Sequence, residues 1–321
     1  MARVTFRSRI ENARDLPARC ALRVTNFGLV KAALGGRYNR AVAAHRTRLP
    51  ALTGIDAAIV TAMRRDGIYI TSLAALGLPD APEVLATAQR LSTDFAETAR
   101  RRVREGHDFN IVPPDEVAAH PALFQLGLHD RLLDIAEAYL GLPVAYDGIH
   151  IIYTVADGRA VSTRQWHRDW EDRRMLKMVV YCNDVGPDDG PLQVLSRADG
   201  VQTDEAGYRY ETCSPGEMAA QFGLNFEHDV VSCVGPAGTV VFTDTARYFH
   251  RGQPAVAKDR QALFYSYFAR SPRHPFFCER SGLSRRQIAE LAEGLPERQR
   301  AATLWRQDLP VTLRLIPPHR L

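Results

Sequence analysis

The stretch VVSCVGPAGTVVFTD, Val230–Asp244, places two short apolar runs on either side of a turn. β-Branched and aromatic residues dominate both runs, and such residues favour the pleated surface of a sheet. The segment between them, Gly235-Pro236-Ala237-Gly238, combines glycine and proline and favours a tight turn. The runs are too short for ordinary helices, so we predict two strands joined by a turn, Val230–Cys233 and Thr239–Thr243.

The same pattern extends on both sides of this stretch, from Val144 to Ala269. Turn-forming segments such as Ala156-Asp157-Gly158 separate further short apolar runs. Many short strands at close spacing are typical of a β-sandwich or barrel. The other predicted strands of this β core are Ile149–Val155, Val161–His167, Met175–Cys182, Leu192–Leu195 and Ala262–Phe268.

Helical patterns precede the core. Asp80 and Glu83 suggest a capping box at the start of a long amphipathic helix, and Gly141 is the residue expected after the last helix. The elements predicted here are a helix at Asp56–Arg65, a strand at Gly67–Ile70, a helix from Asp80 to about Arg104 and a helical pair within Pro121–Leu140.

Helices also follow the core. Ser284 is a suitable N-cap for a helix over Arg285–Glu293, and a second helix is expected at Glu297–Leu304. The proline-rich end, Pro310–Leu321, predicts an extended tail on the surface. We therefore divide the chain into an N-terminal extension (1–50), one domain (51–281) and a C-terminal helical segment with its tail (282–321). Within the domain, residues 51–143 are helical and residues 144–270 form the β core.

The bulk composition indicates a globular protein. Of 321 residues, 45% are hydrophobic and 24% charged, and no run approaches the roughly 20 apolar residues of a membrane span. The N-terminus has no apolar segment of the secretory type, so we expect a cytoplasmic protein. The five cysteines form no C-x-x-C pair and suggest neither disulfides nor zinc. Nearly all cations are arginines, which fits either a compositional bias or an anionic substrate.

Three residues suggest an iron site. His167 and Asp169 are two apart, so on a strand both would point to one face. His250 lies 81 residues after Asp169 and follows a predicted strand. Two histidines and one carboxylate on one face leave adjacent coordination positions open, which suits non-haem Fe(II) with a bidentate cosubstrate and O₂. Catalytic zinc sites keep fewer positions open and fit this pattern less well.

Arg260 follows His250 by ten residues, at the start of a predicted strand. Its planar guanidinium suits the distal carboxylate of 2-oxoglutarate. Lys177 lies on an apolar strand, where burial is costly without a partner. It therefore either extends to the sheet edge or contributes to the pocket. His150 lies on the strand before the motif and could face the same pocket.

The sequence around these residues resembles the phytanoyl-CoA dioxygenase-like branch of the Fe(II)/2-oxoglutarate oxygenases. The resemblance covers about Leu52 to Arg270. It implies a mainly β fold with flanking helices, with a double-stranded β-helix (jelly-roll, cupin-like) core. The motifs that carry it are Trp166-His167-Arg168-Asp169, Gly190-Pro191-Leu192, Thr239–Asp244, and His250 with Arg260.

The resemblance also assigns roles to residues. His167, Asp169 and His250 would hold Fe(II), and Arg260 would bind the distal carboxylate of the cosubstrate. Tyr153 or Thr154 would touch 2-oxoglutarate, and because neighbours on a strand face opposite ways, at most one of them can do so.

Two departures from the family concern the pocket. Gly252 stands where many members have a serine or threonine that helps to hold the cosubstrate. The segment Leu195–Gly200 replaces the usual Pro-Gly-Ser-His loop.

The expected activity is hydroxylation of an aliphatic C–H bond in a small-molecule metabolite, with release of succinate and CO₂. Asp169 argues against halogenation, because related halogenases have a small residue there. A demethylase with the same iron chemistry is one alternative, although the nucleic-acid repair branch has a second arginine where this chain has Ser266. A catalytically silent jelly-roll binding protein is another. We expect no nucleic-acid or membrane partner. Three questions stay open: the identity of the substrate, whether the reaction ends in hydroxylation or in desaturation or cyclisation, and the oligomeric state.

Overall fold

A computed structural model describes the backbone of residues 6–202 and 211–317 and the side chains of residues 16–202 and 211–317. The strands are β1 (Ile68–Ser72), β2 (Val144–Thr154), β3 (Leu176–Tyr181), β4 (Leu192–Leu195), β5 (Val230–Cys233), β6 (Thr239–Thr243), β7 (His250–Gly252) and β8 (Arg260–Ala269). The helices are α1 (Phe6–Asn26), α2 (Gly28–His45), α3 (Gly54–Asp66), α4 (Leu73–Leu76), α5 (Ala81–Arg104), α6 (Pro114–Ala118), α7 (Pro121–Leu126), α8 (Asp130–Leu140), α9 (Pro215–Phe222), α10 (Arg285–Leu291), α11 (Glu297–Thr303) and α12 (Val311–Arg314).

Two antiparallel sheets form the core. The larger sheet has the strand order β1-β6-β3-β8-β2, and the smaller one has the order β5-β4-β7. Val179 and Tyr181 of the larger sheet pack against Val194 and Cys233 of the smaller one, so the two sheets face each other. With helices at both ends, this arrangement is the predicted jelly-roll core, and the predicted fold class is confirmed.

The larger sheet is covered on both faces. Successive side chains of a strand point to opposite faces. On β3, Val179 and Tyr181 therefore face the smaller sheet, whereas Met178 and Val180 belong to the apolar cluster that also contains Ile59 of α3 and Leu133 of α8. Burial on both faces explains why these strands are almost continuously apolar. The face toward the smaller sheet is the one that carries the candidate site.

The predicted strands agree with the structure except near the H-x-D motif. The bounds Val230–Cys233, Thr239–Thr243 and Leu192–Leu195 are confirmed. The predicted strand Val161–His167 is wrong, because residues Ser162–Arg164 form a 3-10 turn. In that segment only Trp166 and His167 make isolated bridges to other parts of the chain.

The predicted helix ends agree with the structure only in part. Gly141 ends α8 in the left-handed conformation, with φ +77°, and Ser284 forms a capping box with Gln287 at the start of α10. The capping box predicted at Asp80 is wrong, because the Asp80 side chain makes no capping hydrogen bond. Asp80 has helical backbone angles (φ −89°, ψ −2°), whereas a capping residue needs an extended conformation.

The extended conformation predicted for the C-terminal tail is wrong within its described part, residues 310–317, although most of these residues lie on the surface as predicted. The segment forms α12 and then turns along a large cavity, where residues 314–317 are part of the wall. Leu313 and Ile316 pack against buried apolar clusters, which explains why the segment is docked against the rest of the chain. Among the residues that were placed, no helix is both long and apolar enough to cross a membrane.

Candidate metal centre

Backbone hydrogen bonds bring the three predicted iron ligands together. The amide nitrogens of His167 and His250 each bond the other's carbonyl oxygen, at 3.0 and 2.9 Å. The amide of Asp169 donates to the carbonyl of Thr245 at 2.8 Å. The prediction that His167 and Asp169 share the face of one strand is therefore wrong, since backbone bonds to His250 and Thr245 position them. Their ligand atoms and that of His250 lie within 4.8 Å of one another, and all three residues are buried.

Both imidazoles are oriented for a ligand at Nε2. Nδ1 of His167 donates to the carbonyl oxygen of Gln165 at 2.8 Å, and Nδ1 of His250 donates to that of Tyr248 at 3.3 Å. A carbonyl can only accept, so each Nδ1 carries the proton and each Nε2 keeps a lone pair. Burial lowers the pKa of both histidines, which favours the neutral rings that bind metals.

Asp169 is a carboxylate with a cation beside it. Burial alone raises the pKa of the Asp169 carboxyl, but the charge of Lys177 and the neighbouring cationic groups outweigh burial and hold the pKa well below its usual range. The Lys177 ammonium lies 2.5 Å from Oδ2 of Asp169. Lys177 is thus directed into the pocket, and of the two positions predicted for it, the pocket is the one observed.

Asp244 fixes the turn that presents Thr245. Its carboxylate accepts hydrogen bonds from the Tyr139 hydroxyl at 2.5 Å and from the amides of Met175, Ala246 and Arg247 at 3.1–3.2 Å. Because the Thr245 carbonyl accepts the hydrogen bond from the Asp169 amide, this buried network helps to fix the position of Asp169 in the metal centre.

Arg260 carries a buried charge without an acidic partner. Its guanidinium donates to the carbonyl of Gly190 and, at 3.2 Å, to the hydroxyl of Thr154. No carboxylate in the described part of the chain pairs with it, and its Nε has no hydrogen-bond partner there. An isolated buried cation is costly, and burial lowers its pKa. The arrangement fits an anionic ligand that supplies the missing carboxylate.

Gly252 leaves room for this guanidinium. A Cβ atom at this position would lie 3.0 Å from one terminal nitrogen of Arg260 and 3.4 Å from the other. The hydroxyl that the resemblance predicts at this place is absent, and the space is taken by the arginine itself. Thr154 of β2 provides a hydroxyl to the guanidinium, because it lies directly opposite Arg260 in the pairing of β2 with β8.

The choice between Tyr153 and Thr154 follows from the alternation of β2. Tyr153 packs in the helix-side cluster, and its hydroxyl donates to Asp259 at 2.9 Å. Thr154 faces the smaller sheet and contacts Arg260. Of the two, Thr154 is therefore the residue whose side chain is placed to touch a ligand bound at Arg260.

A cavity of about 930 Å³ opens above the metal centre and contains Arg260 in its wall. This volume is near the upper end of the range of about 300–1,000 Å³ for ligand sites. His150 lines the cavity as predicted, stacked on Phe264 with ring centroids 5.4 Å apart. Burial lowers the pKa of His150 to about 3, so its ring is neutral.

Several lining residues were not predicted from the sequence. Arg280, Arg285 and Arg314 come from the chain after the β core and reach the same cavity as the metal centre. Asp147 holds the turn at Arg280, because its carboxylate accepts from the amides of Glu279 and Arg280 at 2.6 and 3.1 Å. No motif spacing marks these residues: Arg280 lies in a loop, Arg285 begins α10 and Arg314 ends α12.

Comparison with known proteins gives structural similarities only. No family model and no curated protein matches this sequence. Among solved structures, EctD from S. alaskensis is 22% identical with a TM-score of 0.45, over 74% of this chain and 89% of that one. Its complex with 2-oxoglutarate and 5-hydroxyectoine is 23% identical with a TM-score of 0.46, over 70% and 80%. HygX from Streptomyces hygroscopicus with iron bound is 17% identical with a TM-score of 0.43, over 68% and 88%. With TM-scores below 0.5, the assignment of the site depends on this chain's own residues.

Proposed function

We propose that this protein is a non-haem Fe(II)- and 2-oxoglutarate-dependent dioxygenase of the phytanoyl-CoA dioxygenase-like branch. It would hydroxylate an aliphatic C–H bond of a small-molecule metabolite and release succinate and CO₂. The observation that carries the proposal is the presence, in one cavity, of a buried His-Asp-His donor set and a buried arginine that has no acidic partner among the described residues.

The donor set fits the metal. His167 and His250 offer Nε2 atoms whose direction is fixed by hydrogen bonds at Nδ1, and Asp169 offers a carboxylate oxygen. Fe(II) bound to this set would supply the activation of O₂, with 2-oxoglutarate as the electron donor. The protein's own part is to hold the ligands and to orient the cosubstrate.

Arg260 and Thr154 orient the cosubstrate in this proposal. The guanidinium would bind the distal carboxylate through two parallel hydrogen bonds, and the Thr154 hydroxyl would fix the guanidinium plane. Ser266 lies in the cavity wall, where the nucleic-acid repair branch has its second arginine. This difference supports a small metabolite over a nucleic acid as the substrate.

A succinate-release screen across metabolite classes tests the proposal. We expect one class to stimulate succinate formation in the presence of Fe(II), 2-oxoglutarate and O₂, with matching consumption of O₂. The His167→Ala variant should show no such stimulation. Turnover that persists in this variant would contradict the iron assignment.

Replacing Lys177 by methionine should change the binding of metal and cosubstrate in opposite directions. The ammonium repels a metal ion at Asp169 and attracts an anionic cosubstrate. We expect Mn(II) to bind more tightly and 2-oxoglutarate more weakly, each by at least about fivefold, since a unit charge about 4 Å away contributes about 1 kcal/mol in water and more at a buried site. Calorimetric titration measures both constants.

Lys258→Met is the matched control for this prediction, because Lys258 is exposed and outside the cavity. Lys177→Arg should retain most of the wild-type behaviour. If Lys177→Met shifts both affinities in the same direction, or neither of them, then Lys177 does not act on the centre through its charge.

A further inference from the structure

The cavity wall carries an excess of positive charge. Its acidic residues are Asp108, Asp169 and Glu279, and its cationic residues are Arg164, Lys177, Arg260, Arg280, Arg285 and Arg314. Six cations against three acids leave an excess of three positive charges. Residues behind the wall that form ion pairs with these charged residues do not alter the excess. They are two acids, Asp157 and Glu171, and two arginines, Arg159 and Arg306, so their charges cancel. Since an Fe(II) ion and a 2-oxoglutarate dianion cancel each other, the excess remains for the substrate.

Ion pairs occupy four of the six cations. These pairs are Arg164–Asp157, Lys177–Asp169, Arg280–Glu171 and Arg285–Glu279. Within residues 16–202 and 211–317, Arg260 and Arg314 are left without an acidic partner at 4.0 Å or less. Arg260 is buried and is assigned to the cosubstrate. Arg314 is exposed at the cavity wall and has no assigned ligand.

The segment that carries Arg314 is anchored on both sides of this residue. Leu313 packs against the buried cluster that contains Trp305, and Ile316 packs against the cluster that contains Phe277. These contacts fix the backbone of Arg314 beside the cavity. A fixed backbone lowers the entropy cost when the arginine orders around a ligand.

Apolar side chains form much of the remaining wall. They include Ile111, Ile152, Phe264, Leu283, Leu315 and Ile316. Leu315, the neighbour of Arg314, is 76% exposed, although it borders the cavity. The exposed Leu315 and the neighbouring Arg314 together form a surface with an apolar part and a cationic part.

We infer that the substrate is an anion with an apolar body, and that Arg314 binds its carboxylate or phosphate group at the cavity mouth. This inference rests on the proposed function and names the substrate class of the same site. The apolar body lies along the wall of the cavity, toward the metal centre. Arginine suits this role because its planar fork can bind either oxyanion through two hydrogen bonds.

The test is calorimetric titration of the protein loaded with Mn(II) and saturating 2-oxoglutarate. The probes are octanoate, octyl phosphate and octanamide, which share an apolar chain and differ in their head group. We expect at least one of the two anions to bind at least about tenfold more tightly than octanamide, since a hydrogen bond to a charged group contributes about 1.5–3 kcal/mol. The comparison of the two anions identifies the preferred head group.

Variants assign this preference to Arg314. Arg314→Glu should remove it, Arg314→Lys should keep part of it, and Arg300→Glu should leave it unchanged, because Arg300 is exposed and outside the cavity. Equal binding of anions and octanamide, no binding of either anion at millimolar concentration, or a preference that survives in Arg314→Glu would overturn the inference. The binding of 2-oxoglutarate is measured in the same experiment. Its failure would overturn the proposed function separately, while the comparison of probes would still test Arg314.

Discussion

Replacement of His250 by alanine is expected to abolish substrate-stimulated succinate release and to weaken metal binding by at least about a hundredfold. The lower bound follows from the tenfold to hundredfold losses that accompany the removal of partners outside the ligand shell, since a ligand itself contributes more. The backbone bonds between His250 and His167 need no side chain, so the fold should persist. Calorimetric titration with Mn(II) and circular dichroism measure the two properties.

The control for this variant is His228→Ala. His228 is exposed and outside the cavity, and its replacement should alter neither metal binding nor activity. A well-folded His250→Ala protein that binds the metal with wild-type affinity would show that the metal lies elsewhere, or that the His-Asp-His group is not its site.

Replacement of Arg260 by methionine should have two effects of opposite sign. The affinity for 2-oxoglutarate should fall by roughly tenfold to a hundredfold, since hydrogen bonds to a charged group contribute about 1.5–3 kcal/mol. The variant without cosubstrate should instead unfold at a higher temperature than the wild type, because a buried charge without a partner has been removed. Calorimetry and thermal unfolding measure these effects separately.

Arg90→Met is the control for this variant, because Arg90 is exposed on α5 and outside the cavity. Arg260→Lys keeps the charge but not the planar fork, so it should recover the unfolding temperature of the wild type more fully than its cosubstrate affinity. If Arg260→Met binds 2-oxoglutarate as tightly as the wild type does, then the guanidinium is not the anchor of the cosubstrate.

The sequence predicts the sheets well because burial of the strands also determines their apolar pattern. The larger sheet is buried on both faces, so its inner strands β6, β3 and β8 are largely apolar runs with recognisable ends. The three-residue β7 was not predicted, because a segment this short has no periodicity. The Val161–His167 segment is not a strand, because Ser162–Arg164 form a 3-10 turn and only Trp166 and His167 bridge to other parts of the chain.

The residues of the candidate site likewise fall into those that the sequence predicts and those that it does not. The prediction of His167, Asp169, His250 and Arg260 uses residue types and spacing, and the structure brings all four into one cavity. The contact between Lys177 and Asp169 depends on how the motif segment lies across β3, which spacing does not reveal. Arg314 reaches the site because apolar residues on either side of it dock into the core, although the prolines nearby favour an extended tail.

Anaerobic titration of the protein with Fe(II) and 2-oxoglutarate tests the central claim most directly. Bidentate binding of the cosubstrate to iron in the His-Asp-His site should produce a weak visible charge-transfer band that saturates with added Fe(II). The band should be absent in His250→Ala and should need a higher cosubstrate concentration in Arg260→Met. Absence of the band in well-folded wild-type protein would contradict the account and would favour a binding protein that has kept the fold without the chemistry.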